Sequence, residues 1–367
     1  MTRKGELDTP VPVVDLAVME ANLRRMAEVC RRNGVKLRPH TKTHKIPALA
    51  RRQVELGAAG ITVAKLGEAE VMADAGLDDI LIAYPMVGPQ KLERLFRLAR
   101  RARIACTLDS VEVAQELSAA ACRRGAAIRF LVEVDIGLGR CGLPPGDELM
   151  QLCARAASLP GLEFGGLLTH AGHSRRVRAP SEVEEIGRRE GELMAGAARS
   201  LRVAGLEVAE VSVGSTPTAA TAGAVPGVTE VRPGTYIFND ASTAALGLPG
   251  LTDVALTVLS TVVGHPAPDR LILDAGSKAL SSDRLSANLL QGHGWIKGYP
   301  GLSIPSLSEE HAIVAVPPGA SAPRIGEKVE IIPNHVCSVV NLFDELIGVE
   351  GDRVEVVWPV AARGKVR

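Results

Sequence analysis

Along its first two-thirds the chain alternates short apolar runs with longer segments whose apolar positions recur every three to four residues. The short runs read as strands and the periodic segments as helices, which is the pattern of βα units. Strands are predicted over 36–41, 61–65, 79–85, 103–109, 128–136, 162–171, 208–214 and 228–232, and helices over 15–32, 66–75, 90–101, 111–124 and 183–204. Asp109-Ser110 supplies a cap ahead of the helix from Val111. Eight strands alternating with helices predict a closed parallel (β/α)8 barrel. The rival is an open doubly wound sheet, whose dinucleotide fingerprint would be Gly137-Leu-Gly-Arg-Cys-Gly142. Arg140 stands there where a phosphate turn keeps a small residue, so the match is discounted.

After about residue 240 the texture changes. Segments 256–263, 270–274, 312–316, 328–332, 336–342 and 354–360 are short, β-branched and separated by Gly and Pro turns, which predicts an all-β domain. Segment 11–16 is surplus to the eight barrel strands and is expected to pair with it. The expected division is therefore a barrel over 17–240 and a β domain made of 1–16 with 241–367.

Charge narrows the partners. Lysine plus arginine (42) cancel aspartate plus glutamate (42), so no basic surplus exists to hold a nucleic acid or an anionic membrane. No run approaches the ~18 apolar residues of a membrane span, and Met1 to Pro10 lacks the apolar stretch of a secretory signal. The six cysteines form no C-x-x-C pair and read as reduced thiols. A cytoplasmic globular protein is expected.

In a parallel barrel the chemistry gathers at the carboxyl ends of the strands. The first strand ends in Arg38-Pro-His-Thr-Lys-Thr-His-Lys45, the sixth at His170-Ala-Gly-His173, the seventh in Gly214-Ser-Thr-Pro-Thr218 and the eighth in Arg232-Pro-Gly-Thr-Tyr236. Hydroxyls and backbone amides after the last two strands suit a phosphate. Taken alone, Ser215, Thr216 and Thr218 would be an ordinary helix start; the second Gly-Thr pair, Gly234-Thr235, favours the phosphate. No Walker lysine accompanies them. A phosphate together with a lysine at a strand end suggests pyridoxal 5'-phosphate, whose chemistry requires a Schiff-base lysine. Lys42 is that candidate, flanked by His40 and His44. Lys45, expected to begin the next helix, is its rival. In the β domain, His335 and Cys337 would share one face of a strand and could converge on one ion. Imidazole with thiolate suits zinc, and two ligands leave room for water or substrate.

The segment Arg38 to Lys45 resembles the coenzyme-lysine segment of the D-threonine aldolase and D-serine dehydratase group, which belongs to the alanine racemase-like, fold type III pyridoxal phosphate enzymes. The resemblance continues in order through Gly60 to Met72, Asp135 to Arg140, Thr169 to His173, Glu230 to Tyr236 and Pro333 to Cys337. It implies the barrel with a C-terminal β domain and a homodimer that shares its site. It also implies that Lys42 holds the coenzyme, that Arg140 reaches its phenolic oxygen and that Arg232 faces its pyridine nitrogen. Ser215, Thr216, Gly234 and Thr235, with Tyr236 beside them, would hold the phosphate. His335 and Cys337 would bind a divalent cation: zinc, manganese or magnesium.

The implied substrate is a small β-hydroxy-D-amino acid. In the first reading His170 or His173 takes the hydroxyl proton, and retro-aldol cleavage of the D-threonine type gives glycine and an aldehyde. In the alternative Lys42 takes the Cα proton and the hydroxyl departs, as in dehydration of D-serine or 3-hydroxy-D-aspartate to a 2-oxo acid and ammonia. The H-x-C pair resembles the dehydratases' zinc site, whereas the run 41–85 resembles the aldolase branch. A racemase would want a tyrosine as second base, and Tyr84, Tyr236 and Tyr299 match no such motif. A coenzyme carrier built on a lone barrel would lack the β domain.

Overall fold

The computed structural model describes residues 2–177, 179–247, 250–287 and 290–367. The chain divides into two compact units. One comprises Arg25–Lys42, Pro47–Gly234 and Gly364–Arg367; the other comprises Met1–Arg24, Thr43–Ile46 and Thr235–Arg363.

The strands are numbered from β1 (Val11–Asp15), which belongs to the second unit. The first unit holds β2 (Lys36–Leu37), β3 (Ile61–Val63), β4 (Asp79–Pro85), β5 (Arg103–Leu108), β6 (Ile128–Val134), β7 (Leu162–Thr169), β8 (Glu210–Val213) and β9 (Glu230–Val231). They lie side by side in the order β2-β9-β8-β7-β6-β5-β4-β3, and every neighbouring pair is parallel. A parallel bridge between His40 and Thr62 closes the ring, with the Thr62 N–H donating to the Pro39 carbonyl at 2.8 Å. The (β/α)8 barrel is therefore the fold, and the doubly wound alternative is excluded.

Barrel strands are apolar on both faces because both are covered. Ile80 and Ile82 join the cluster shared with the surrounding helices, whereas Leu81 between them packs with Leu131 and Leu168. Truncating such a buried leucine to alanine costs about 2–5 kcal/mol. Near the amino ends of the strands, charge replaces this apolar filling. Arg38 donates to Glu230 at 2.7 Å and to Asp79 at 2.5 Å, and Ser212 donates to the second Glu230 oxygen at 2.6 Å.

Five predicted helices are present as Leu16–Asn33, Leu66–Asp74, Pro89–Ala99, Val111–Cys122 and Pro180–Val203. The Ser110 hydroxyl caps the fourth by accepting from the Val113 N–H. Pro47–Glu55 and Asp147–Ala157 are further helices that the periodicity left unassigned. Lys45 does not begin the first of these: it lies ahead of the helix in a left-handed conformation, φ +56°, and its Nζ donates to Asn341 Oδ1 at 2.7 Å.

In the second unit β1 pairs antiparallel with the strand Leu256–Ala267 and parallel with Glu345–Glu350, as its surplus over eight predicts. One expectation is overturned here. Segment 336–342 is no strand but the short helix Val336–Val340. Val336, Val339 and Val340 are its buried residues, a spacing of three and four that suits a helix face. A five-residue β-branched run cannot be told apart by periodicity alone. Strands Ser303–Leu307 and Glu345–Glu350 also went unassigned in sequence. Among the described residues no helix is long and apolar enough to cross a membrane.

Candidate active site

Within the barrel unit, a cavity of about 420 Å³ is lined by residues at and beyond the carboxyl ends of the strands. Lys42 reaches it from the single 3-10 turn Thr41–Thr43 that follows β2. Two contacts shape this turn. The Thr41 hydroxyl donates to the Thr62 carbonyl at 3.2 Å, and the Lys42 N–H donates to His40 Nδ1 at 3.4 Å. Arg140, His170, Gly214 and Arg232 line the same cavity, together with His40, Lys65, Tyr84 and Glu133.

Arg140 is placed by the loop from Asp135 to Gly142. Asp135 Oδ1 accepts from the N–H groups of Gly137, Leu138 and Gly139 at 3.0, 2.9 and 3.2 Å. Burial would raise this carboxyl, but those amides outweigh it and hold the group below its ordinary value. Gly142 closes the loop at φ +98°, where a Cβ would lie 2.8 Å from the Glu133 carbonyl oxygen. The guanidinium of Arg140 then donates to Glu133 at 3.2 Å. Arg232, 5% exposed, donates to the Ser212 hydroxyl and the Thr169 carbonyl.

Four cations (Lys42, Lys65, Arg140 and Arg232) thus face a cavity with one carboxylate, Glu133, which is already paired. Lys65 Nζ also sits 3.5 Å above the centre of the Tyr84 ring. That surplus selects an anionic ligand. It also neutralises the imidazoles. Burial, followed by the charges of Lys42, Arg140 and Arg232, holds His170 well below the usual histidine range. Burial and then Lys42 and Arg232 do the same for His40. His170 Nδ1 lies 3.5 Å from the Gly214 carbonyl oxygen. With its proton on that side, Nε2 carries the lone pair.

The turn after β8 begins at Gly214, φ +102°. The Ser215 N–H donates to Thr218 Oγ1 at 3.1 Å, and Ser215 Oγ lies 3.4 Å from Ser174 Oγ. Ser215 is buried and Thr216 half-buried. Gly234 ends the barrel unit, whereas Thr235 and Tyr236 lie buried in the 3-10 turn Thr235–Ile237 of the second unit.

The second unit also holds His335 and Cys337. They do not share a strand face: His335 immediately precedes the helix Val336–Val340 and Cys337 lies in its first turn. His335 Nδ1 is 3.6 Å from Asp240 Oδ2, and Cys337 Sγ is 3.2 Å from the Thr43 hydroxyl. Among the described residues no cluster of three His, Cys, Asp or Glu side chains is arranged to hold a metal ion.

His173 does not line the cavity. Its Nδ1 is buried with no hydrogen-bond partner, and burial lowers its pKa against the opposing pull of Asp135. The sequence reading missed Glu133, Lys65 and Tyr84 as lining residues. Glu133 left a signal, a lone carboxylate inside the apolar strand Ile128–Val134 that proves 5% exposed.

Residues 14–242 match the family model "Alanine racemase, N-terminal domain", and residues 255–349 match "Putative serine dehydratase domain". The chain is 39% identical to D-threonine aldolase of an Arthrobacter species, over 98% of this chain and 94% of that protein. It is 38% identical to D-threo-3-hydroxyaspartate dehydratase of a Delftia species, over 96% of this chain and 97% of that one. The crystal structure of D-threonine aldolase from Filomicrobium marinum superposes with a TM-score of 0.93 at 37% identity, covering 100% of this chain and 98% of that one. Solved structures of a D-threo-3-hydroxyaspartate dehydratase, 36% identical with a TM-score of 0.91, include a histidine-to-alanine mutant and a cysteine-to-alanine mutant two positions apart, the latter in the metal-free form.

Proposed function

Because the chain belongs to the alanine racemase-like family of D-threonine aldolases and D-serine dehydratases, we propose that it is a pyridoxal phosphate- and divalent metal-dependent lyase that cleaves β-hydroxy-D-amino acids of the D-threonine type. The observation that carries this reading is Lys42 in a cavity with Arg140, Arg232 and a neutral His170.

The residues fit the coenzyme. It is anionic, and the cavity is lined by four cations and one carboxylate. It needs a primary amine, which Lys42 supplies. Arg232 would face the ring nitrogen, Arg140 the phenolic oxygen, and Ser215, Thr216, Gly234, Thr235 and Tyr236 the phosphate. An arginine at the ring nitrogen keeps that atom unprotonated, because the guanidinium holds its own proton. His335 and Cys337 offer an imidazole and a thiol, a donor set suited to zinc, with manganese and magnesium as the other candidates. Two ligands leave positions open for the substrate hydroxyl. The paired histidine and cysteine mutants of the D-threo-3-hydroxyaspartate dehydratase have the same spacing as His335 and Cys337.

When bound, the coenzyme stabilises negative charge at Cα, and the cation lowers the pKa of the β-hydroxyl. His170 Nε2, with Nδ1 turned to the Gly214 carbonyl, accepts the hydroxyl proton. Loss of that proton breaks the Cα–Cβ bond and releases an aldehyde. Lys42 Nζ holds the proton that completes glycine at Cα. In the second reading Lys42 Nζ takes the Cα proton and the hydroxyl leaves, giving a 2-oxo acid and ammonia; the His335-x-Cys337 pair favours this. The homodimer and the cytoplasmic location belong to the same proposal and rest on the family resemblance, with six reduced thiols consistent with the latter.

Product analysis decides the chemistry. The protein loaded with pyridoxal phosphate and zinc or manganese should convert D-threonine to glycine and acetaldehyde. Release of a 2-oxo acid and ammonia from D-serine or 3-hydroxy-D-aspartate, without glycine, makes it a dehydratase. Inertness toward all three refutes both.

A further inference from the structure

Glu190 has no part in the reaction above, yet its side chain is completely buried in the helix Pro180–Val203. Glycines flank it on the same helix. A Cβ on Gly187 would come within 3.2 Å of the Thr218 carbonyl oxygen, and one on Gly191 within 2.9 Å of the Ala222 carbonyl oxygen. The missing side chains let the helix backbone press against the segment that follows β8. This close approach carries the Glu190 carboxylate under the turn at Gly214.

There the carboxylate accepts two donors from one turn. Oε1 accepts from the Gly214 N–H at 2.8 Å, and Oε2 accepts from the Thr218 hydroxyl at 2.8 Å. Thr218 in turn holds the Ser215 N–H, and the Gly214 carbonyl faces His170 Nδ1. One side chain therefore holds the Val213–Gly214 peptide and the Thr218 hydroxyl, and through the Gly214 carbonyl and Thr218 Oγ1 it reaches His170 Nδ1 and the Ser215 N–H. An apolar side chain would be cheaper to bury at such a position, and burial does push this carboxyl above its ordinary range.

We propose that Glu190 is a positioning residue that fixes the turn after β8, so that Ser215, and His170 through the Gly214 carbonyl, meet the coenzyme in fixed geometry. The proposal rests on the coenzyme reading given above. Glu190 does not line the cavity; it acts through Gly214 and Thr218.

The test compares Glu190→Leu, Glu190→Gln and Thr218→Val with wild type in reconstitution of the apoprotein by pyridoxal phosphate. The readouts are the dissociation constant and the phosphorus resonance of the bound phosphate. Glu190→Leu should weaken coenzyme binding by about tenfold to a hundredfold, the usual effect of losing an orienting partner, and should shift the phosphorus resonance. Glu190→Gln should stay within about threefold of wild type. Its carbonyl still accepts from Gly214, and its amide donates to Thr218 Oγ1, whose proton can turn to Ser215. Thr218→Val removes one strut and should fall between them, and it decides the matter if Glu190→Leu does not fold. Wild-type affinity and resonance in Glu190→Leu or Thr218→Val overturn the inference, as does a glutamine variant as weak as the leucine one. A wild-type protein that takes up no coenzyme overturns the proposed function, and this inference with it.

Discussion

Asp240 Oδ2 lies 3.6 Å from His335 Nδ1, and the same oxygen accepts the N–H of Val336 at 3.2 Å. Asp240 is fully buried, whereas His335 keeps 30% of its side chain exposed. The carboxylate thus orients the imidazole from behind and anchors the start of the helix that carries Cys337. A histidine whose Nδ1 faces a carboxylate presents Nε2 outward, the tautomer in which imidazole binds a metal.

Asp240→Asn should therefore lower zinc or manganese affinity by about tenfold to a hundredfold, measured as metal retained after dialysis. Asn keeps Oδ1, which caps the helix Ala241–Ala244 by accepting from Thr243, but sets an amide NH2 group against the Val336 N–H, so the change frees both the imidazole and the start of the helix that carries Cys337. Cys337→Ala should lower turnover more than coenzyme content. Wild-type metal retention in Asp240→Asn, or full activity after chelation, removes the pair from the mechanism.

His170 and His173 separate cleanly by geometry. His170 lines the cavity with Nε2 available, and His173 does not line it. His170→Asn should lower kcat by about a hundredfold to ten-thousandfold, the range of a lost general base. His173→Asn should change it far less. Equal losses, with coenzyme content intact in both, would contradict the assignment.

Buried neutral histidines also set a pH dependence of stability. Burial and neighbouring cations depress His40 and His170 in the fold, while an unfolded histidine titrates near ~6.5. Below that value the unfolded chain binds protons that the folded chain refuses. Stability is then complete above about pH 6.5 and falls as pH drops toward the depressed folded value, by at most about 1.4 kcal/mol per pH unit for each histidine. Calorimetry of the apoprotein between pH 5 and 8 should show this decline, and His170→Asn should shallow it. An identical slope in the variant would mean that His170 is protonated in the fold.

The barrel was legible because β3 to β7 are apolar runs between amphipathic helices, a pattern that burial on both faces imposes. That Lys42, His170 and Arg232 share one cavity was legible because strand ends of such a fold face a common mouth. Val336–Val340 was misread because a short β-branched run fits either period, and with it went the strand-face argument for His335 and Cys337. Glu133 and Glu190 escaped for another reason. Their roles depend on Arg140 at one end of a loop and on Gly214 two elements away, relationships that no local spacing encodes.

The central claim, that Lys42 binds the coenzyme in this cavity, is tested most directly by reducing the pyridoxal phosphate-loaded protein with borohydride and mapping the modified peptide by mass spectrometry. The account predicts a single pyridoxyl adduct on Lys42, lost in Lys42→Ala together with the yellow absorbance at roughly 410–430 nm. An adduct on Lys65 or Lys45, or none on a protein that nonetheless turns over substrate, would contradict it.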